Sequence, residues 1–356
     1  MATTFKKLGS NDIVAQRSLL HEAVPITGSI VSGTYGDANI KNYSHGMFQS
    51  VYDYPYLSSS ANHIFDLTMG YSSDSAMSAS TSTQNSKKIN LYTQMAQVLM
   101  GFDATGSIQK FDEDGDLTSG GAKLRECFFV NFARLLEKDE IKKGSFTLEL
   151  GVSGAYAYPH LDRVALKDTD AQNAFFVNSP AGEYGILYGT NTAGTRLKKA
   201  DNAGETVKAG LIFYQAGVAV ITGSVFAGLL SQSVEYSTGS TGTETVNQVM
   251  TSSISGACDG FRRRMYNMSF NNTTELNSTM FFCRANNNDF NYSSNVTYLS
   301  SSKLRVKNNA SDVPVSFITS VGLYSANNEL LAVAKLSEPL RKDPTQEFIL
   351  KVRLDY

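Results

Sequence analysis

Apolar residues recur with helical spacing in three segments near the start of the chain, at residues 8–24, 86–101 and 121–137. In the first segment, Ser10 is a candidate N-cap and Pro25 would end the helix. Residues three and four positions apart fall on one face of a helix. The pattern therefore predicts three amphipathic helices.

Residues 26–82 show no sustained period. They are rich in Gly, Ser and Tyr and contain short aromatic islands, MFQSVYDYPYL and HIFDLTMGYS. This composition predicts extended segments and long loops, which would lie along another surface instead of packing by themselves. We therefore expect an N-terminal helix and extended arm at 1–82, followed by a helical section at 83–143.

Beyond residue 144 the pattern becomes that of strands. Residues 145–150 alternate apolar with polar side chains, and 210–223 indicate a hairpin that turns at 215–217. Residues 279–285 indicate a buried strand. Residues 232–256 are rich in Ser and Thr, which predicts a loop or a weak helix.

The clearest strand pattern closes the chain. Residues 315–324 and 329–336 flank a turn at 325–328, and residues 346–356 alternate, with one apolar face formed by Phe348, Leu350, Val352 and Leu354. We expect these three strands to be antiparallel neighbours. The predicted fold class is α+β, mostly β, with an antiparallel β-rich body at 144–356 that ends in a β module at about 312–356.

Composition narrows the function classes. The 33 acidic residues nearly balance the 31 basic residues, for a net charge of -2, whereas a nucleic-acid binder carries a basic excess. A hydrophobic fraction of 42% is too high for a disordered chain. The start lacks the apolar segment of a signal peptide, and no window approaches the ~18 apolar residues of a membrane span. We expect neither nucleic-acid nor membrane partners.

The residues that usually carry catalysis form no recognisable spacing. Cys127, Cys258 and Cys283 are far apart, the four histidines are scattered, and the motifs H-E-x-x-H, C-x-x-C and G-x-S-x-G do not occur. We expect no catalytic residue, no cofactor and no metal site, and hence no enzyme.

The acidic stretch DEDGD at 112–116 comes nearest to a calcium loop. An EF-hand loop needs Gly at position six and Glu at position twelve. Counted from Asp112, Gly115 falls at position four and Lys123 at position twelve, so the pattern fails. We interpret the stretch as an acidic turn before a helix N-terminus, with a bound cation as the alternative.

Two groups of residues are candidates for contacts with other proteins. Aromatic residues without basic neighbours favour protein contact over base stacking, and core packing is the equal alternative for them. A dense basic triplet could pair with a partner's acidic surface, with a solvated face or an internal ion pair as its alternative. The candidates are Tyr52, Tyr54, Tyr56 and Phe65 in the first group and Arg262, Arg263 and Arg264 in the second.

Several ordered strings resemble a known family. They are GMFQSVYD with ANHIFDLTMG, then LIFYQAGVAV, STMFFCRANNNDFNYSS and FITSVGLYSANNELLAVAKL. In this order they resemble virion structural proteins of large contractile-tailed bacteriophages, the T4-like and marine or cyanobacterial myophages, over residues 8–356. The ending also resembles a small β module of tail-fibre and baseplate proteins.

The resemblance implies a structural subunit of the virion tail, made in the host cytoplasm and placed in the baseplate. It implies partners among other tail and baseplate proteins, and a homo-oligomer within the particle. A neck or collar protein or a tail-fibre adaptor is the alternative within this class. A carbohydrate- or receptor-binding β protein, or an envelope-degrading hydrolase with two carboxylates about 5–10 Å apart, is the alternative of another class.

Overall fold

Strands dominate the chain in the computed structural model. The structure describes residues 5–26, 37–79, 81–117, 121–136, 140–199, 202–226, 246–291, 299–300, 303–304, 311 and 314–356. Within them lie three helices, α1 (Asn85–Leu99), α2 (Val246–Thr251) and α3 (Ile254–Arg264).

The strands of the described residues are β1 (Ile13–Ile26), β2 (Ile40–Asn42), β3 (Gln49–Tyr52), β4 (His63–Tyr71), β5 (Glu126–Asn131), β6 (Glu140–Ile141), β7 (Thr147–Gly151), β8 (Arg163–Lys167), β9 (Phe176–Ser179), β10 (Gly182–Thr190), β11 (Lys208–Phe213), β12 (Val218–Thr222), β13 (Met265–Ala285), β14 (Leu299–Ser300), β15 (Lys303–Leu304), β16 (Ser316–Tyr324), β17 (Leu330–Lys342) and β18 (Phe348–Asp355). The fold is α+β and mostly β, as predicted.

The chain divides into two compact units. The larger unit spans Leu20–Thr274, and the smaller unit combines Met1–Leu19 with Glu275–Tyr356. Strands β1 and β13 each contribute residues to both units. The divisions at 82 and 143 that the sequence indicated do not coincide with these units.

In the larger unit the strands follow the order β13-β7-β8-β10-β11-β12-β5-β4-β3-β2. Successive side chains of a strand point to opposite faces of the sheet, and here both faces are covered. Along β5, Phe128 and Val130 belong to one hydrophobic cluster with Phe261 of α3, whereas Phe129 belongs to a second cluster with Tyr92 of α1. The central strands are therefore apolar on both sides.

The helix predicted at 121–137 is wrong, and this double burial is the reason. Strand β5 pairs with β4 on one side and with β12 on the other. A run of apolar residues that is buried on both faces has no period of two, and it also fits helical spacing. By contrast, the helix predicted at 86–101 is confirmed by α1, and the hairpin predicted at 210–223 is confirmed by β11 and β12.

The N-terminal helix predicted at 8–24 is also wrong, because Ile13–Ile26 forms strand β1, which pairs with β13. Residues 37–79 are not an arm along another surface. They supply β2, β3 and β4, and the side chains of Leu67 and Met69 on β4 have no exposed area. Within the predicted stretch 232–256, residues 246–251 form α2, while 232–245 lie outside the described residues.

In the smaller unit, β18 pairs antiparallel with the end of β13, and β16 pairs antiparallel with β17. The hairpin predicted at 315–324 and 329–336 is therefore confirmed, whereas the last strand pairs with β13 and not with this hairpin, contrary to prediction. The apolar face predicted for β18 is confirmed, since Val352 is buried and lies opposite Phe281. Residues 279–285 do form strand, but most of their side chains are half-buried instead of buried.

Candidate protein-interaction site

Two loops of the larger unit share one sequence pattern. Residues 52–57 read YDYPYL and residues 156–161 read YAYPHL, so Tyr, Tyr, Pro and Leu recur at the same positions. The first Tyr-Pro loop (residues 53–62) joins β3 to β4, and the second Tyr-Pro loop (residues 152–162) joins β7 to β8. The pattern therefore occurs in two hairpins, but it begins at Tyr52 on β3 in the first and at Tyr156, inside the loop, in the second.

Two pairs of side chains that correspond in the two sequence patterns are similarly exposed to solvent. The third residue of the pattern is 50% exposed as Tyr54 and 68% exposed as Tyr158. The sixth is 85% exposed as Leu57 and 80% exposed as Leu161. Clustered exposed apolar side chains, as opposed to scattered single ones, mark interaction sites on protein surfaces.

Internal hydrogen bonds hold the first loop in one conformation. The carboxylate of Asp53 accepts the backbone N–H of Asn62 at 2.6 Å and its side-chain amide at 2.8 Å. The backbone N–H of Ser58 donates to the carbonyl oxygen of Pro55 at 2.8 Å. These bonds close the loop at its base and brace its tip.

The second loop is closed in a similar manner. The N–H of Val152 donates to the carbonyl of Asp162 at 2.8 Å, and the N–H of Tyr158 donates to the carbonyl of Ala155 at 3.2 Å. A Cβ atom at Gly151 would lie 2.2 Å from the carbonyl oxygen of Pro159, so only glycine permits this loop to fold back over the end of β7. Loops that are already ordered lose little entropy on binding.

The last turn of α3 and the segment 37–39 connect the two loops. The guanidinium of Arg263 donates to the carboxylate of Asp37 at 3.0 Å and lies 5.0 Å from the ring centroid of Tyr156. Next along the chain, the carbonyl of Ala38 accepts the N–H of Tyr56 at 3.0 Å. Both Tyr-Pro loops therefore lie beside the Asp37–Arg263 ion pair.

The other two arginines of the triplet are buried and bind within the chain. Arg262 donates to Asp37 at 2.9 Å and to Asp259 at 3.4 Å. Arg264 donates to the carbonyls of Gly151 at 3.1 Å and Ser153 at 2.9 Å. The interface role expected for Arg262 and Arg264 is therefore wrong, and the alternative of internal pairing holds for them. Both lie in the last turn of α3, where the helix dipole stabilises cations.

The four aromatic candidates also differ in their burial. Tyr54 and Tyr56 are exposed, and Tyr52 is half-buried, with its ring 5.4 Å from that of His63 in an edge-to-face contact. Phe65 has no exposed area, because it lies on β4 opposite Val51 in the hydrophobic core. Phe65 is therefore a core residue, and its interface role is wrong.

The sequence reasoning missed Tyr156, Tyr158 and Leu161. Their signal was present, because the pattern Y-x-Y-P-x-L occurs twice in the chain. A search for short internal repeats would have found it, although only the fold shows that the two copies lie beside one ion pair.

The base of the second loop holds a half-buried histidine. The ring of His160 lies 5.3 Å from that of Tyr266. Burial lowers the pKa of His160, and the nearby guanidinium groups of Arg264 and Arg163 lower it further. Burial therefore favours the neutral form of this imidazole.

The acidic residues at 112–116 form a separate cluster. The carboxylate oxygens of Asp112, Asp114 and Asp116 lie within 4.8 Å of one another, and such oxygens are the ligands of hard cations. Asp112 is fully buried and already pairs with the Lys123 ammonium, so it cannot reach a substrate as a hydrolase acid would. The element that follows is strand β5, so the expected turn before a helix is wrong.

No protein-family model, curated protein or solved structure matches the chain.

Among the described helices, none is both long and apolar enough to cross a membrane.

Proposed function

We propose that the chain is a structural subunit of a tailed-bacteriophage virion, a baseplate component that acts through contacts with other proteins. The observation that supports this most is the pair of Tyr-Pro loops. They present exposed Tyr and Leu side chains on hydrogen-bonded loops, on either side of an ion pair.

The chemistry of these loops suits a protein partner. Their other residues are largely Ser, Ala, Asn and Gly, as in ordered binding loops that combine rigid tyrosine anchors with small polar groups. Tyrosine supplies a large contact area with only two side-chain torsions to fix. Binding to the phosphate backbone of a nucleic acid requires basic residues, and the first loop has none.

The smaller unit offers further contact area of the same kind. Leu331 and Val333 on β17 are more than half exposed, and so is Ile349 on β18. A subunit with several apolar surfaces is typical of a protein that contacts several neighbours at once.

The proposal is tested on particles of the phage that encodes the chain. Particles are purified by density gradient, the chain is quantified by mass spectrometry, and its position is marked with antibody and gold. We expect a fixed copy number per particle and label at the distal end of the tail. Label at the neck or along the fibres would instead support the alternative of a neck protein or a fibre adaptor. Absence of the chain from particles would refute the structural role.

A paired set of variants ties the function to the loops. Leu57→Ser combined with Leu161→Ser removes the two most exposed apolar side chains of the loops, and Val98→Ser is the control, since Val98 is 65% exposed on α1. In complementation of a phage that lacks the gene, we expect the loop variant to fold but to be missing from particles. Normal incorporation of the loop variant into particles would show that the two loops do not make the contacts proposed for them.

A further inference from the structure

We propose that the outer edge of strand β18 binds an extended, acidic segment of another protein, which adds to the sheet as one further antiparallel strand. This binding site goes beyond the proposed function, because it lies in the smaller unit, apart from the Tyr-Pro loops, and does not depend on a virion role. Two features carry it: the backbone groups of β18 that point away from β13, and the basic side chains beside them.

Strand β18 lies at an edge of the sheet in the smaller unit. Within the described part of the chain it pairs with β13 alone. The pairing runs from Ser278 opposite Asp355 to Ala285 opposite Phe348 without a register shift, and the strand contains neither Pro nor Gly. A long, regular edge exposes a row of backbone N–H and C=O groups, which is a template for another strand.

The ladder to β13 fixes which backbone groups point outward. The N–H of Tyr356 donates to the carbonyl oxygen of Asn277 at 2.8 Å. Successive residues of an antiparallel strand alternate between bonding to the neighbour and pointing away from it. The even-numbered residues of β18 therefore bond to β13. The outward N–H and C=O groups belong to Ile349, Lys351, Arg353 and Asp355.

Two other edge strands of the chain are blunted. Strand β2 has only three residues, and β17 contains Pro339 beside a register shift against β16. Short edge strands, prolines and bulges are the devices by which proteins prevent strand addition. Strand β18 has none of these devices, so its edge is open to a partner strand.

The side chains beside this edge select an acidic partner. Lys351 and Arg353 are both exposed. Arg353 pairs at 2.7 Å with Asp355 of the same strand, but both of these side chains are more than half exposed, and such a surface pair contributes little. Opposite charges directly across two strands stabilise the pairing, and like charges destabilise it.

A second copy of β18 fits this edge poorly. The antiparallel registers that pair most of the strand set Lys351 against Lys351 or Arg353 of the other copy, or Arg353 against Arg353. The complementary strand instead has acidic side chains opposite Lys351 and Arg353. It has an apolar side chain opposite Ile349, which is 59% exposed.

Hydrogen exchange of the full chain, resolved by NMR, tests whether the edge is open. We expect slow exchange at the amides of Leu350 and Val352, which face β13, and fast exchange at those of Ile349, Lys351 and Arg353. Slow exchange at both sets would show that the chain itself or a second copy already covers the edge, and it would overturn the proposal.

The probe for the partner is a capped peptide, Lys-Val-Glu-Val-Glu-Val-Ile, whose glutamates lie opposite Lys351 and Arg353 in antiparallel pairing. We expect a Kd below about 1 mM and slower exchange at the outward amides when it binds. The charge-reversed peptide, Glu-Val-Lys-Val-Lys-Val-Ile, should bind at least about tenfold more weakly.

Methylation of the peptide backbone tests the mode of binding. The N–H groups of the two glutamates would face β18, so N-methylation there should abolish binding. The N–H groups of the first two valines would face away, so N-methylation at those valines is the matched control and should be tolerated. Unchanged binding of the peptide methylated at its glutamates would overturn strand addition.

Variants of the chain test the choice of partner. Lys351→Glu combined with Arg353→Glu should reverse the preference between the two peptides. Lys335→Glu combined with Arg341→Glu, at exposed positions of β17, should leave the preference unchanged. Circular dichroism checks that each variant is folded. Failure of the glutamate peptide to bind the wild-type chain at about 1 mM, or equal binding of both peptides, would overturn the proposed acidic partner.

Discussion

Lys88 of α1 is a fully buried lysine whose proton should report on folding. Its ammonium donates to the carbonyl oxygens of Met250 at 2.7 Å and Ser252 at 2.5 Å, at the end of α2. It also lies 5.5 Å from the ring centroid of Tyr71. Burial lowers the pKa of Lys88 from 10.5 to about 8, because the charged form loses its hydration.

This shift can be converted into stability. Each pKa unit corresponds to about 1.4 kcal/mol, so the change from 10.5 to about 8 corresponds to about 3 kcal/mol. Below about pH 8 the lysine is charged in both states, and the folded state carries the full penalty. Above about pH 10.5 it is neutral in both states, and the penalty is absent. This group therefore raises the free energy of unfolding as the pH rises through that window.

The variant Lys88→Met isolates the effect, because it removes the titrating group while it keeps the chain apolar at that site. We expect the difference in unfolding free energy, wild type minus variant, to rise by about 3 kcal/mol between about pH 7 and about pH 10.5. Urea denaturation at several pH values measures it. Lys87→Met is the control, since Lys87 is exposed on the same helix. Parallel pH curves for wild type and Lys88→Met would refute the reasoning.

Three further predictions concern Asp168, Val352 and His160. Asp168 accepts hydrogen bonds from the N–H groups of Gly144 and Phe146 and from the hydroxyl of Tyr214. Asp168→Asn cannot accept at both ends, so we expect a loss of about 2–4 kcal/mol in urea denaturation, and a change below about 0.5 kcal/mol would contradict this. Val352→Asp buries an unpaired charge and should cost about 3 kcal/mol or more, measured by hydrogen exchange of β18; unchanged protection would show that this face is exposed. Because partial burial lowers the pKa of His160, its contribution to stability should fall as the pH drops below about 6.5. His160→Gln should flatten that dependence in thermal melts, whereas equal pH slopes would argue against it.

The sequence predicted those elements whose pattern has a single interpretation. Helix α1 has one apolar face with Tyr92, Ala96 and Leu99, and β18 alternates around Val352. Strand β5 was mistaken for a helix because it is apolar on both faces, and only its two neighbours in the sheet explain that run. Spacing within a short segment cannot separate these cases.

The candidate site was predicted in part. The sequence pointed to the first Tyr-Pro loop and to the arginine triplet, yet it could not tell Arg263, which is partly exposed, from its two buried neighbours. That difference depends on the direction of each side chain around the last turn of α3. Phe65 was named as a contact candidate with core packing as the equal alternative, and it is buried because β4 lies between β3 and β5 in the sheet.

By itself, the sequence determined the local elements with regular periodicity, the mostly β fold class and the chemistry of the exposed loops. The tertiary structure decided which strands pair, which arginines are buried, and that two distant Y-x-Y-P-x-L segments lie beside one ion pair. The physical reason is that periodicity and turn chemistry act within a few residues. Burial, strand pairing and ion pairing depend on partners that only folding brings together.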